Sequence, residues 1–315
     1  MTRWGIWGTS AIAASFARGL SFAEGAVLQA VGSRDAGRAE AFLAATGARR
    51  AHVGRAALLG DPEVDVVYIA SPNAFHEEDC LAAIAAKKAV LCEKPLSTSV
   101  ASARRIEAAA EAAGVFVMEA MWTRFFPLIP ALEAAIAEVG PLCTIEADFG
   151  FAADPVQDVR IFDPAYGAGA LLDVGVYPIW LALHFGGPAA EVRGLSVRAQ
   201  AGVDASAGLV IRHANDRLST LSCSIVSSTP SRAIFGCARG HLELEPPWWR
   251  PEGAILRRDG AAPEALFRAM RGNGYAHEAE EVMRCLGANL TESPKHPLSM
   301  TRQILQVVEA VRMPV

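Results

Sequence analysis

The sequence predicts a two-domain α/β protein, an N-terminal doubly wound Rossmann-type domain followed by an α/β domain built on an open, mostly antiparallel sheet. Three observations lead there. Over roughly the first 120 residues, short β-branched runs alternate with Ala-rich helical stretches, the rhythm that produces parallel sheets. From 190 to 258 strand-like runs follow one another at hairpin spacing with no helix between them, which favours antiparallel pairing. A length of 315 residues with 52% hydrophobic and 20% charged side chains is enough for two cores.

The elements follow in order. Strands are expected at 2–8, 26–32, 64–70, 89–92 and 115–118, with helices at about 11–20, 35–46, 75–87 and 98–113 between them. Val64-Asp65-Val66-Val67-Tyr68-Ile69-Ala70 is nearly continuous apolar sequence, as befits a strand covered by helices on both faces. After Met121-Trp122 a helix near 127–138 precedes a long strand at 141–150 and a helix at about 167–185. The antiparallel run then leads to two closing helices, at roughly 275–287 and 298–312. Domains are accordingly placed at 1–120, for dinucleotide binding, and 121–315, for substrate binding and oligomerisation.

Composition excludes several classes. A net charge of −5 leaves no basic footprint for nucleic acid or for an anionic membrane face. No run reaches the eighteen or so uninterrupted apolar residues that a membrane span needs, so none is expected. The Ala-rich stretch after Arg3 imitates a signal peptide, but Trp4-Gly5-Ile6-Trp7-Gly8 alternates like a strand and an amphipathic helix follows. The six cysteines and seven histidines are scattered without metal-ligand spacing, so no metal site is expected and reduced thiols point to the cytoplasm.

The first strand-turn-helix carries Gly5, Gly8, Ser10 and Ala13, where a dinucleotide turn wants small residues for a tight bend and for backbone approach to a pyrophosphate, and Gly8, Thr9, Ser10 and Ile12 are its candidate cofactor contacts. Ser10 replaces the central glycine of G-x-G-x-x-G, so its side chain has to tuck aside or hydrogen-bond a phosphate. Alone, the motif is equally a close-packed strand-helix corner. Val31-Gly32-Ser33-Arg34-Asp35 ends the second strand, where an acidic residue usually grips the NAD ribose. Ser33, Arg34 and Arg38 suit the 2′-phosphate of NADP, which is therefore preferred over NAD. Asp35 is either a ribose ligand or the cap of the next helix.

Ser71-Pro72-Asn73-Ala74-Phe75-His76 follows the strand at 64–70, and Glu93-Lys94-Pro95 follows the one at 89–92. Both lie at strand C-termini, where doubly wound sheets hold ligands. A lysine before proline is extended, which can aim its ammonium at a carbonyl or a hydroxyl; as an isolated tripeptide it is a surface turn. Asp173 and Tyr177, four apart on the expected helix, share a face behind the Gly167 and Gly169 turn. His76 is a cofactor-side partner or simply a helix N-terminal residue, and Arg160 holds a substrate oxygen or a surface carboxylate. Trp122 and Phe162 are candidates for an apolar wall against a ring, with plain core as the alternative. His277, Glu278, Glu280 and Glu281 read as a solvated helix face, and Trp248-Trp249 as an interface or a core anchor.

Taken together, Glu93-Lys94-Pro95, the Ser71-to-His76 segment and Gly167 to Tyr177 resemble the Gfo/Idh/MocA oxidoreductase family. Glu119-Ala120-Met121-Trp122-Thr123-Arg124-Phe125-Phe126 and Gly169-Ala170-Leu171-Leu172-Asp173-Val174-Gly175-Val176-Tyr177-Pro178 are most similar to its dimeric dihydrodiol and NADP-dependent D-xylose dehydrogenase branches. The resemblance implies a tightly held NAD(P) and redox chemistry at a carbon of a sugar, polyol or cyclic diol. It implies that Lys94 lies by the nicotinamide and acts with Asp173 and Tyr177 of the second domain, tyrosine standing where many relatives have histidine. It also implies a homodimer or higher oligomer formed through the open sheet. A non-catalytic dinucleotide-binding regulator of the same fold is the alternative.

Overall fold

The structure is a computed structural model that describes residues 1–312. The chain divides into two compact units, Met1–Phe125 with Arg271–Thr301, and Phe126–Met270 with the chain from Arg302 on. In the first, strands β1 (Thr2–Trp7), β2 (Ala26–Ser33), β3 (Arg50–Val53), β4 (Val66–Ile69), β5 (Ala89–Glu93) and β6 (Val117–Ala120) alternate with helices. These are α1 (Ala11–Leu20), α2 (Ala36–Thr46), α3 (Arg55–Leu59), α4 (His76–Ala85) and α5 (Val100–Ala113). The strands pair in parallel in the order β3-β2-β1-β4-β5-β6. The winding therefore reverses at β1, whose two neighbours are β2 on one side and β4 on the other.

Alternation along each strand divides the core into two layers. Trp4 and Ile6 of β1, Tyr68 of β4 and Leu91 of β5 bury on one face of the sheet. Trp7, Val67, Ile69, Val90 and Cys92 bury on the other, against Leu58, Ile84 and Ile106. The helices start on side-chain caps where the sequence supplies them: Ser10 accepts from the Ala13 amide, Asp35 from Arg38 and Ser99 from Ser102. β3 and α3 were not expected. β3 is four residues long, polar and partly exposed at the sheet edge, so it carries no hydrophobic period to detect.

The second unit contains α6 (Leu128–Val139), β7 (Leu142–Gly150), α7 (Val159–Phe162), α8 (Val176–Gly186) and strands β8 (Ala189–Arg198), β9 (Asp204–His213) and β10 (Leu218–Ser224). It continues through β11 (Ala233–Cys237), β12 (Gly240–Leu244), β13 (Gly253–Arg258) and β14 (Glu264–Phe267). The eight strands run β14-β13-β12-β11-β7-β10-β9-β8. Every pair is antiparallel except β7 with β10, because the connection from β7 returns through α8, β8 and β9 before β10 is laid down. Pro164–Gly186 is long and apolar enough to cross a membrane by length and composition alone; 94% of its apolar window is buried, as in a core helix.

Two helices close the chain, α9 (Tyr275–Gly287) and α10 (Leu298–Val311). A single boundary near 120 assigned α9 to the second domain, but it packs in the first unit. Tyr275, Ala276, Ala279 and Val282 form one helical stripe that completes the core layer around Trp4, Phe16 and Tyr68. This also corrects the expected solvated face: Glu278 is 0% and Glu281 3% exposed. Glu281 is held by Arg284, Lys295 and Ser293. Both oxygens of Glu278 lack a hydrogen-bond partner. Patterning by charge alone could not separate these cases, since Glu278 lies within the apolar stripe.

The two carboxylates respond to pH with opposite sign. Against the cost of burial, the hydrogen bonds from Arg284, Lys295 and Ser293 lower Glu281 to about 2, so its contribution to stability is lost as pH falls through the acidic range. Burial, with the nearby Glu93, pushes Glu278 well above the usual carboxylate range, so its contribution is present in acid and is lost as pH rises. Glu278→Gln is therefore expected to raise Tm at about pH 8 and to leave it unchanged near pH 4. Thermal melts of both proteins across that range check it; a Tm difference independent of pH excludes the titration.

Candidate active site

In the dinucleotide unit the decisive position is Gly8, where β1 ends. Its φ is +114°, its amide donates to Gly32 O at 3.0 Å, and a Cβ would lie 2.9 Å from Ala70 O. Only glycine leaves the backbone free to turn there into α1. Thr9 and Gly8 are half-exposed, and Ser10 and Ile12 are exposed on the turn. Ser10 is bonded on both sides of the turn. Its hydroxyl caps α1, accepting from Ala13 N at 3.3 Å, and donates to Ala70 O at 3.4 Å, tying the turn to the end of β4.

At the end of β2, Asp35 accepts from Arg38 N at 2.8 Å, so it caps α2. The buried Ser33 hydroxyl accepts from Asp35 N at 3.2 Å. Arg34 and Arg38 are exposed, and the Arg34 guanidinium sits 5.8 Å over the Phe75 ring. Phe75 belongs to a segment singled out in the sequence but without an assigned role; a cation-π partner four elements away has no local signal.

The loop after β4 is organised by a residue the sequence reading missed. Asp79, 4% exposed in the first turn of α4, accepts from Ser71 Oγ at 2.6 Å and Trp7 Nε1 at 3.0 Å, and pairs with Arg55 at 2.5 Å. Its acidic neighbours Glu77 and Glu78 give no hint of which carboxylate turns inward. Pro72 precedes a short 3-10 turn that includes the buried Asn73. His76 is fully buried, with Nδ1 2.8 Å from Pro95 O and Nε2 2.7 Å from Ser71 O. Burial holds its pKa down despite these two carbonyls. It therefore bridges the loops after β4 and β5 at the start of α4 and presents no nitrogen outward, which corrects its expected cofactor contact.

Glu93, Lys94 and Pro95 leave β5 through a cis Lys94-Pro95 peptide. Glu93 is 8% exposed, accepts from the Tyr68 hydroxyl, and is raised by burial. Lys94 is half-buried. The loop is secured beyond it by Leu96 N donating to Glu119 at 2.9 Å, and Glu119 also binds His296 at 2.9 Å and Thr301 at 2.8 Å. Trp122 of this unit stacks on Tyr275 with ring centroids 4.7 Å apart.

In the second unit, Leu171–Gly175 is a π-helical turn that leads into α8, in place of one continuous α-helix over 167–185. The wider turn means that four-residue spacing no longer defines a simple shared face for Asp173 and Tyr177. Asp173 is 8% and Tyr177 7% exposed. Asp173 accepts from Gly169 N at 3.1 Å and lies 3.8 Å from Arg160, so Arg160 meets a carboxylate of its own chain. Phe162 is buried in α7. The ring next to Tyr177 is Phe149, at 5.5 Å, and Trp249 stacks on Phe149 at 3.5 Å. Trp248 is the core anchor, fully buried and donating to Asp148 O at 2.6 Å.

Comparison with known proteins agrees with both units. Residues 2–121 match the Gfo/Idh/MocA oxidoreductase family model with an NAD-binding Rossmann fold, and residues 132–243 match that family's C-terminal domain. The chain is 34% identical to trans-1,2-dihydrobenzene-1,2-diol dehydrogenase of Oryctolagus cuniculus, over 90% of this chain and 88% of that one. The Sus scrofa enzyme of the same name is 32% identical over 98% and 96%. The 3-ketoreductase KijD10 of Actinomadura kijaniata, solved with NADP and TDP-benzene, superposes with a TM-score of 0.88 at 25% identity, covering 98% and 96% of the two chains. The aldose-aldose oxidoreductase of Caulobacter crescentus shares the fold, with a TM-score of 0.87, 21% identity and coverage of 98% and 96%. With the glycine turn, the Glu93-Lys94-Pro95 loop and the Asp173-Tyr177 segment in place on these two folds, the chain belongs to the Gfo/Idh/MocA family of NAD(P)-dependent oxidoreductases.

Proposed function

We propose that the chain is an NADP-dependent dehydrogenase or reductase that interconverts a hydroxyl and a carbonyl on a cyclic trans-dihydrodiol, a sugar or a polyol, with Lys94, Asp173 and Tyr177 as its working groups. The observation that carries this reading is that one chain of this family combines Lys94 after β5 with Asp173 and Tyr177 around the π-helical turn. The names of the mammalian relatives support a diol, and those of the sugar-acting structural neighbours support a related ring. Phe149 beside Tyr177, with Trp249 stacked on it, suits the apolar face of such a substrate.

The residues present fit a dinucleotide. The bare backbone at Gly8, where a Cβ would be blocked at 2.9 Å, opens the start of α1 to a pyrophosphate. Gly8, Thr9, Ser10 and Ile12 would hold that group; Ser33, Arg34 and Arg38 the ribose end; Ser71, Pro72, Asn73, Glu93 and Lys94 the nicotinamide end. When bound, the nicotinamide accepts or supplies the hydride. Arg34, exposed and ordered over Phe75, favours the 2′-phosphate of NADP, and the use of Asp35 as a helix cap weakens the case for NAD. Tyr177 Oη takes the proton from the substrate hydroxyl, Lys94 supplies positive charge to the developing oxyanion, and Asp173 orients a hydroxyl.

The open face of the second sheet bears Leu195 and Val197 of β8, 83% and 66% exposed, with Val210 of β9 beside them. This exposed apolar patch supports a homodimer or higher homo-oligomer. The six free cysteines support a reducing cytoplasm.

A panel of trans-dihydrodiols, aldoses and polyols with NADP⁺ and NAD⁺, read as reduced-cofactor absorbance, tests the reading; tight NADP binding with no turnover would replace it with a regulator. On an accepted substrate, Lys94→Ala and Tyr177→Phe are each expected to lower kcat by about a hundredfold or more. Full activity in both rules out the proton path. Arg34→Ala is expected to weaken NADP about tenfold and NAD hardly at all. Equal weakening in cofactor titrations removes the phosphate contact.

A further inference from the structure

Asp204 has no part in the roles assigned above, yet it is bound to the segment that carries Asp173. It opens β9 and is 4% exposed. Its Oδ2 accepts from the amide of Leu171, the first residue of the π-helical turn, at 2.6 Å. Its Oδ1 lies 3.4 Å from Arg312 Nε, and Nη2 of the same guanidinium donates to Ala168 O at 3.3 Å. One carboxylate and one guanidinium thus grip the backbone on both sides of Gly169.

Gly169 is shaped by that grip. Its φ is +130°, and a Cβ on it would lie 2.5 Å from Asp204 Oδ1, so the carboxylate can approach this closely only because no side chain is present. From the same residue the amide donates to Asp173 Oδ2 at 3.1 Å. The peptide between Ala168 and Leu171 is therefore held by Asp204 and Arg312 while it holds Asp173. Each carboxylate also has its own guanidinium, Arg312 for Asp204 and Arg160 for Asp173. This separates two buried acids that would otherwise repel one another across one turn.

We propose that Asp204 and Arg312 form a positioning pair that sets the orientation of Asp173 for the reaction, acting through the Gly169 turn. The proposal rests on the reading that Asp173 takes part in that reaction. Without the pair, the Gly169 turn loses its two anchors, and the Asp173 carboxylate loses the fixed amide that aims it.

The test is a double-variant cycle on the substrate found with the panel, using Asp204→Ala, Asp173→Asn and both together. Asp204→Ala is expected to lower kcat about tenfold while NADP binding, measured by titration, is unchanged. Asp204→Asn, which keeps an oxygen for the Leu171 amide, recovers most of the rate. In the Asp173→Asn background, Asp204→Ala is expected to cost nothing further. Equal fractional losses in both backgrounds overturn the proposal, because a role in stability alone is blind to Asp173. Full activity of Asp173→Asn by itself is a different outcome: it removes the assignment of Asp173, and the pair's role with it. Where Asp204→Ala does not fold, Arg312→Gln enters the same cycle. Amide exchange needs no substrate: Gly169 and Leu171 are expected to exchange faster in Asp204→Ala or Arg312→Gln. Unchanged exchange in both variants overturns the proposal.

Discussion

Where the chain leaves β1, the backbone of Gly8 passes so close to Ala70 O that an added Cβ would stand 2.9 Å away, and the dinucleotide unit is arranged around this passage. β1 lies between β2 and β4, so its end is flanked by the ends of both. The Gly8 amide bonds to β2 through Gly32 O, and the Ser10 hydroxyl bonds to the end of β4 through Ala70 O. The turn is thus fixed from both sides, and α1 starts with its cap already in place. Parallel strands supply this crevice as a matter of topology, while glycine at one position keeps it open.

The surrounding loops are held by buried polar groups, each with several partners. Asp79 gathers Trp7, Ser71 and Arg55; His76 joins Ser71 to Pro95; Glu119 joins Leu96, His296 and Thr301. Such groups are costly to bury alone and become rigid links when satisfied. The second unit repeats the device at the Gly169 turn, with Asp204, Asp173 and two arginines. In both units a flexible glycine is constrained by a buried carboxylate or carbonyl, so the backbone near the chemistry is set by contacts remote in sequence.

Much of this was legible in the chain before any coordinates. The alternation of apolar runs and Ala-rich stretches located β1, β2, β4 and β5 with their helices, because burial on two faces leaves a continuous hydrophobic trace. The short polar β3 left none. The candidate residues of the glycine turn, the Ser71-to-His76 segment and the Glu93-Lys94-Pro95 loop all fell at strand C-termini as expected. The ring packing around Tyr177 left no such trace: Phe149 lies next to it and Trp249 stacks on Phe149, since ring packing depends on strand register and not on proximity in sequence.

By itself the sequence determined the two fold types and the family, and it singled out candidate residues for the chemistry, because hydrophobic period, glycine position and short motifs are local properties. Only the tertiary structure decided which polar groups turn inward and what they hold. It made His76 a bridge, Asp79 and Asp204 organisers, and Glu278 a buried acid within what had looked like a solvated face. It also moved α9 into the first unit, where its stripe closes the core around Trp4. In each case a side chain's environment is set by elements far along the chain, and charge pattern within one helix carries no record of them.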